Sequence, residues 1–267
     1  MTQISQMKFR WRMRCMVLLA AVCAGGARAE FVRVDAGVHQ PLFSNEAAQP
    51  VAAFWLADAP VTNGEFLEFV RAEPRWRRSR AGRLFVDERY LSHWADDLFL
   101  GTNAPVDHPV THVSWFAARA YARWNGARLP TLAEWEWAAA ASETSSDGRS
   151  DTNFLPRILN WYSRPASTGT RPVRNTFRNV WGAWDLHGLV WEWVEDFNTA
   201  LVTGESRADS ALERPQFCGG GAAGAADVGN YAAFMRYAFR GSLHARSTAS
   251  SLGFRCARDA DTGESMP

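Results

Sequence analysis

The chain has 267 residues, 47% of them hydrophobic and 21% charged, with a formal net charge of +1. That composition supplies a sizeable core for one large domain and excludes disorder. Five of the 29 basic residues and none of the 28 acidic ones fall in residues 1–29, so the remainder carries −4 and gives no electrostatic case for nucleic acid. Lys8 is the only lysine, which excludes Schiff-base chemistry and a lysine-anchored pyridoxal cofactor beyond residue 29.

The N-terminus reads as a secretory leader. Lys8, Arg10, Arg12 and Arg14 form a basic region, and Cys15 to Ala24 is an apolar run too short to span a bilayer stably. Ala27-Arg28-Ala29 fits a small-x-small cleavage site. Residues 1–29 are therefore expected to be a signal peptide and residues 30–267 one exported, periplasmic domain that meets the membrane only through that leader before cleavage. An uncleaved anchor and a lipid attached at Cys23 are the alternatives; Val22 is a poor neighbour for the second. Cys15 and Cys23 leave with the leader. Cys218 and Cys256 remain in an oxidising compartment, open to one disulfide, to a thiol or copper site, or to two unbridged structural cysteines.

Phe31 to Phe43 reads as an opening strand and turn about Gly37, and Phe54-Trp55-Leu56 as a second strand. Thr62-Asn63-Gly64-Glu65 is a capping box that predicts a helix over residues 63–72. Six arginines between residues 71 and 83 read as a solvated loop, with an anionic contact surface as the other reading. Ser114 caps a second helix, whose apolar stripe runs through Phe116, Ala117, Ala120, Tyr121 and Trp124 and stops at Asn125-Gly126. Thr131-Leu132-Ala133-Glu134 is a second capping box that opens a third helix through Ala141. Ser142 to Asn153 reads as a mobile polar loop. From Trp181 onward, glycines punctuate short aromatic runs, which predicts short strands and irregular turns rather than long helices. The chain has 13 tryptophans, enough large rings to support a core with little regular structure. His108 and His112 have metal-like spacing, but Pro109 between them argues against a shared helix face.

Three segments carry a family resemblance. The first is Asp107-His108-Pro109-Val110-Thr111-His112-Val113-Ser114-Trp115, leading to Arg128-Leu129-Pro130-Thr131-Leu132-Ala133-Glu134-Trp135-Glu136-Trp137. The second is Trp184-Asp185-Leu186-His187-Gly188-Leu189-Val190-Trp191-Glu192-Trp193, and the third is Leu252-Gly253-Phe254-Arg255-Cys256. In this order and spacing the chain resembles the formylglycine-generating-enzyme, or sulfatase-modifying-factor, superfamily over about residues 31–258. The resemblance implies an α+β, C-type-lectin-like irregular domain with low secondary-structure content. Family enzymes oxidise a substrate cysteine with O2 and copper(I) held by two thiolates, soft ligands that select that ion. Here Gly219-Gly220-Gly221 stands at the corresponding turn and no cysteine occurs from Ala222 to Arg255. Copper and standard formylglycine generation are therefore not expected.

The resemblance carries further expectations. It implies that the structural bridge of some members is lost at both ends, at Ala139 and Tyr237, and that the usual partner of the terminal cysteine falls at about Ala122. A Cys218–Cys256 bridge would close a loop of about 38 residues and stabilise the fold by about 3–4 kcal/mol. Many members bind calcium near Trp-Glu-Trp, which implies carboxylate oxygens from Asp185 and Glu192 and backbone carbonyls from Gly188 and Val190; the alternative is a hydrogen-bonded turn with Glu192 paired to an arginine. The family's iron-dependent sulfoxide synthases carry a separate histidine-rich domain, for which this chain has no room. The run from Asn230 to Arg240 resembles a cysteine-free branch that includes accessory proteins encoded beside copper nitrite reductases. Arg236 and Arg240 share a side if that run is helical, and would clamp a carboxylate or form a buried structural pair.

These readings favour a periplasmic maturation or accessory factor that binds a peptide or protein partner, a metalloenzyme among the candidates, with Trp191, Arg236 and Arg240 lining the groove. Its rivals are an oxidoreductase acting on a peptide or protein, and a carbohydrate-binding lectin-like module.

Overall fold

The computed structural model describes residues 29–41, 47–148, 151–163, 169–198 and 228–260. The leader before Ala29, Cys218 and the triple glycine lie outside the described residues, so of the expected Cys218–Cys256 bridge only the Cys256 end is described.

Regular structure is short, as the glycine and tryptophan content predicts. Strand β1 (Phe31–Val34) pairs antiparallel with β4 (Phe54–Ala57), and β4 with β7 (Ala257–Asp259), so the two ends of the domain close one three-stranded sheet. Strands β2 (Gly37–His39) and β3 (Gln49–Val51) form a second antiparallel pair. Strands β5 (Trp191–Trp193) and β6 (Leu252–Phe254) pair in parallel, with Glu192 opposite Gly253.

Helix α1 (Asn63–Ala72) starts where its capping box places it, with Thr62 Oγ1 accepting from the Glu65 N–H and Glu65 accepting from the Thr62 N–H. Ser114 caps α2 (Trp115–Trp124), and Thr131 with Glu134 forms the box that opens α3 (Leu132–Ala139). Arg128 fixes that box from outside, donating to both Glu134 oxygens at 2.7 Å and to Asp259 at 2.6 Å. The main core lies between α1, α2 and β6, where Phe66, Tyr121 and Phe254 meet with ring centroids 5.4–6.1 Å apart.

Three expectations need correction. The tract after Trp181 contains α5 (Val228–Gly241), 14 residues long, rather than only short strands and turns. Helix α4 (Phe154–Ser163) follows the loop at Ser142, which starts as an ordered turn: Ser142 is buried, and its hydroxyl accepts from the Thr144 and Ser145 N–H groups. The arginine-rich stretch holds a short 3-10 turn, Pro74–Trp76, and Arg78 donates to the Trp94 carbonyl at 2.8 Å instead of facing only water.

Gly253 shows why the third segment needs a glycine. A Cβ there would meet the Val110 carbonyl oxygen at 2.7 Å, so the first and third segments touch backbone to backbone. Gly126 ends α2 with φ +63° and has open space around it. Gly253→Ala is expected to destabilise by about 1–3 kcal/mol through overpacking, against about 1 kcal/mol for Gly126→Ala through backbone conformation alone. Denaturant midpoints of the two variants check this order.

Candidate functional site

The three sequence segments converge on Trp135, Glu192 and Arg255. Trp193 Nε1 donates to the Val113 carbonyl at 2.9 Å, and Trp115 Nε1 donates to the Val194 carbonyl at 3.0 Å, a reciprocal lock between the first and second segments. The parallel β5–β6 pairing then sets Arg255 beside Glu192. The guanidinium Nε and Nη2 donate to the two carboxylate oxygens at 2.7 Å each, and both side chains are 0% exposed. Arg255 also donates to the carbonyls of Trp184 at 2.8 Å and Ala57 at 3.1 Å. Glu192 takes one more bond, from Trp135 Nε1 at 2.7 Å.

Consecutive helical side chains point about 100° apart, so Glu136 leaves α3 in a different direction from Trp135. It meets α5. Arg236 Nη2 donates to Glu136 Oε2 and Arg240 Nη1 to Oε1, both at 2.6 Å. Arg240 also lies over the Trp135 ring, 4.5 Å from its centroid. Arg236 and Arg240 do share a side, as expected for a helix, but they form the buried structural pair rather than lining an open groove. Burial alone would raise the Glu136 pKa; the attraction of Arg236 and Arg240 overcomes this and holds it at about 2.

Trp191, the remaining groove candidate, lies on the outer side of this cluster. Its ring stacks on Phe239 at 4.6 Å and on Tyr162 at 5.2 Å, and Trp161 approaches it at 5.2 Å. All four rings are half-buried. Arg236 Nη1 donates to the Tyr162 hydroxyl at 3.3 Å, tying this aromatic wall to the charges beneath it. Beside it, a cavity of about 240 Å³ is bordered by Trp161, Arg157, Arg171 and His187. His187 bonds through Nε2 to the Ala139 carbonyl at 2.9 Å, while its buried Nδ1 has no partner among the described residues. Burial, aided by Arg236, lowers its pKa to about 3, so it is a neutral imidazole at neutral pH.

Glu136, Tyr162 and Phe239 were not marked by the sequence. A glutamate on an otherwise apolar helix face was a usable signal for Glu136, because such groups are rarely buried without a partner.

Of the four expected calcium donors, Asp185, Gly188 and Val190 lie in or beside one turn and Glu192 follows on β5; Asp185 and Gly188 both have positive φ, +61° and +97°. Asp185 accepts from the N–H groups of Arg174, Asn175 and Thr176 and from the Thr176 hydroxyl. The Gly188 carbonyl accepts from Arg171 at 3.0 Å, and Glu192 is held by Arg255 and Trp135. The Val190 side chain is buried. Asp185, Gly188 and Glu192 thus already accept protein hydrogen bonds with which a calcium ion would compete, and the arrangement fits the hydrogen-bonded turn with Glu192 paired to an arginine.

His112 is off-helix with φ +52°, its ring 5.0 Å from that of His93, while His108 bonds Thr170 Oγ1 at 3.1 Å. Ala122 and Cys256, and likewise Ala139 and Tyr237, belong to the main core; the Tyr237 hydroxyl lies 3.2 Å from His39 Nε2.

Stability should fall on acidification in two stages. A histidine with a depressed folded pKa contributes stability that is present above pH 6.5 and lost as pH drops from there toward 3; Glu136 contributes above 4.5 and loses it toward 2. Thermal melts from pH 7 to pH 4 are expected to slope downward, and His187→Leu to flatten the slope. The same melts with calcium or with a chelator should superimpose; a midpoint rising with calcium would restore the ion to the Asp185 turn.

Residues 22–260 match the sulfatase-modifying factor enzyme 1-like domain. The formylglycine-generating enzyme of Streptomyces coelicolor is 37% identical over 175 residues, covering 58% of this chain and 54% of that protein. The hercynine oxygenase of Mycobacterium tuberculosis is 35% identical over 164 residues, covering 54% of this chain and 38% of that protein. The chain thus aligns with about half or less of the length of these relatives. The crystal structure of CarF shares the fold, with a TM-score of 0.50 at 20% identity, covering 87% of this chain and 99% of that one. With its three signature segments joined through Glu192, Arg255 and Trp135, the chain belongs to the sulfatase-modifying-factor, formylglycine-generating-enzyme-like domain family.

Proposed function

We propose that this domain serves as a periplasmic maturation or accessory factor that binds a peptide or protein partner against the aromatic wall of α4, β5 and α5. The observation that carries this reading is the composition of that wall: Trp161, Tyr162, Trp191 and Phe239 stack on one another, half-buried. Rigid, amphipathic rings of this kind make good binding surface at small entropy cost. The soft thiolates that hold copper(I) in the family's oxidases have no counterpart between Ala222 and Arg255. The charges beneath the wall serve to fix it: Glu136 holds Arg236 and Arg240, and Arg236 holds Tyr162.

No helix among the described residues is long and apolar enough to cross a membrane. Export rests on the leader read in the sequence.

A photo-crosslinking amino acid placed at Trp161 or Phe239 in cells tests the proposal. The expected result is one reproducible adduct in the periplasmic fraction, abolished by Trp191→Ala. Absence of any discrete adduct from both positions counts against it. Oxygen uptake by the purified protein with cysteine-containing peptides would support the rival oxidoreductase reading instead.

A further inference from the structure

A second surface lies away from the aromatic wall. Between α1, the Pro74–Trp76 turn and α2 is a cavity of about 560 Å³, within the range of pockets that enclose a ligand group. Its floor is a connected series of rings. Trp124 meets Phe69 at 5.7 Å, Phe69 meets Trp76 at 6.3 Å, Trp76 meets Phe85 at 6.3 Å, and Phe85 meets Phe116 at 5.4 Å. Phe85 is 46% exposed and Trp124 37%, so the series is not closed over by the described residues. Trp76 is buried, yet its indole N–H has no acceptor among the described residues.

The rim is cationic. Arg75, Arg80, Arg119 and Arg123 border the cavity, against one acid, Glu73. Arg75 lies 3.3 Å from Glu73, and Arg119 is held by Glu195 at 2.6 Å with its guanidinium over Trp115. Arg80 and Arg123 are exposed and have no acidic partner among the described residues. Part of the arginine-rich stretch thus joins α2 around an apolar hollow.

We infer that this cavity binds an acidic peptide segment carrying a bulky apolar side chain. The ring floor takes the apolar side chain, and the guanidiniums of Arg80 and Arg123 take flanking carboxylates in their bidentate geometry. A concave floor beneath a charged rim suits an inserted side chain, whereas a planar bilayer would touch only the rim. This goes beyond the proposed wall: it uses none of its residues and gives the partner a chemistry.

Fluorescence anisotropy on the full chain tests the inference. The probe is a labelled hexapeptide of tryptophan and leucine flanked by glutamates and aspartates. The expected result is saturable binding that weakens with added salt and falls about tenfold or more in the Arg80→Glu, Arg123→Glu double variant, with its melting curve unchanged. Replacing the peptide's tryptophan and leucine by alanine should abolish binding. The inference is overturned if the wild-type chain shows no saturable binding, if the variant binds equally, or if the alanine peptide binds as well. It is also overturned if phosphatidylglycerol vesicles displace the peptide with the same arginine dependence, which would assign the face to an anionic membrane. Loss of crosslinking at Trp161 and Phe239 with peptide binding intact would count only against the wall.

Discussion

Glu192 and Arg255 have no exposure to solvent, and the elements around them are arranged by their pairing. A buried ion pair is not in itself a source of stability, because desolvation offsets much of the attraction. Once present, it is a strong constraint: removing one partner leaves an uncompensated buried charge at a cost of about 3–5 kcal/mol. Arg255 therefore fixes β6 beside β5, and through the Ala57 carbonyl it reaches the end of β4. With so little regular structure, the register of three-residue strands depends on such side-chain anchors more than on the ladders themselves.

Trp135 passes this constraint to a second charged cluster. Its N–H is fixed by Glu192, its ring lies under Arg240, and its neighbour Glu136 receives Arg236 and Arg240. Two guanidiniums on one carboxylate hold α5 to α3, and Arg236 extends the contact to Tyr162 on α4. The aromatic wall is thus a surface with a charged foundation. Helix α5 is thereby held in place by ion pairs and ring packing together.

The start of each of the first three helices was legible because capping is local chemistry. Thr62 and Glu65, Ser114, and Thr131 and Glu134 act within three residues of where they stand. Helix α5 was not legible as a whole, because Gly229 and Gly241 at its ends resemble the turn glycines around it. The partner of its two arginines lies 100 and 104 residues earlier, beyond any periodicity. Glu192 was legible as either a calcium ligand or an arginine partner. Its arginine sits 63 residues further on, and only the β5–β6 pairing brings the two together. Helix α4 hid behind Pro156, although Phe154, Ile158 and Tyr162 keep helical spacing.

The Glu192–Arg255 pair holds the signature segments together. A double-mutant cycle with Glu192→Gln and Arg255→Met, read from denaturant midpoints, tests it most directly. Each single variant should lose about 3–5 kcal/mol, and the double variant little more than one of them, giving a coupling of about 2–3 kcal/mol or more. Additive losses, with coupling below about 0.5 kcal/mol, would mean that the two residues act independently and that the segments are joined by something else.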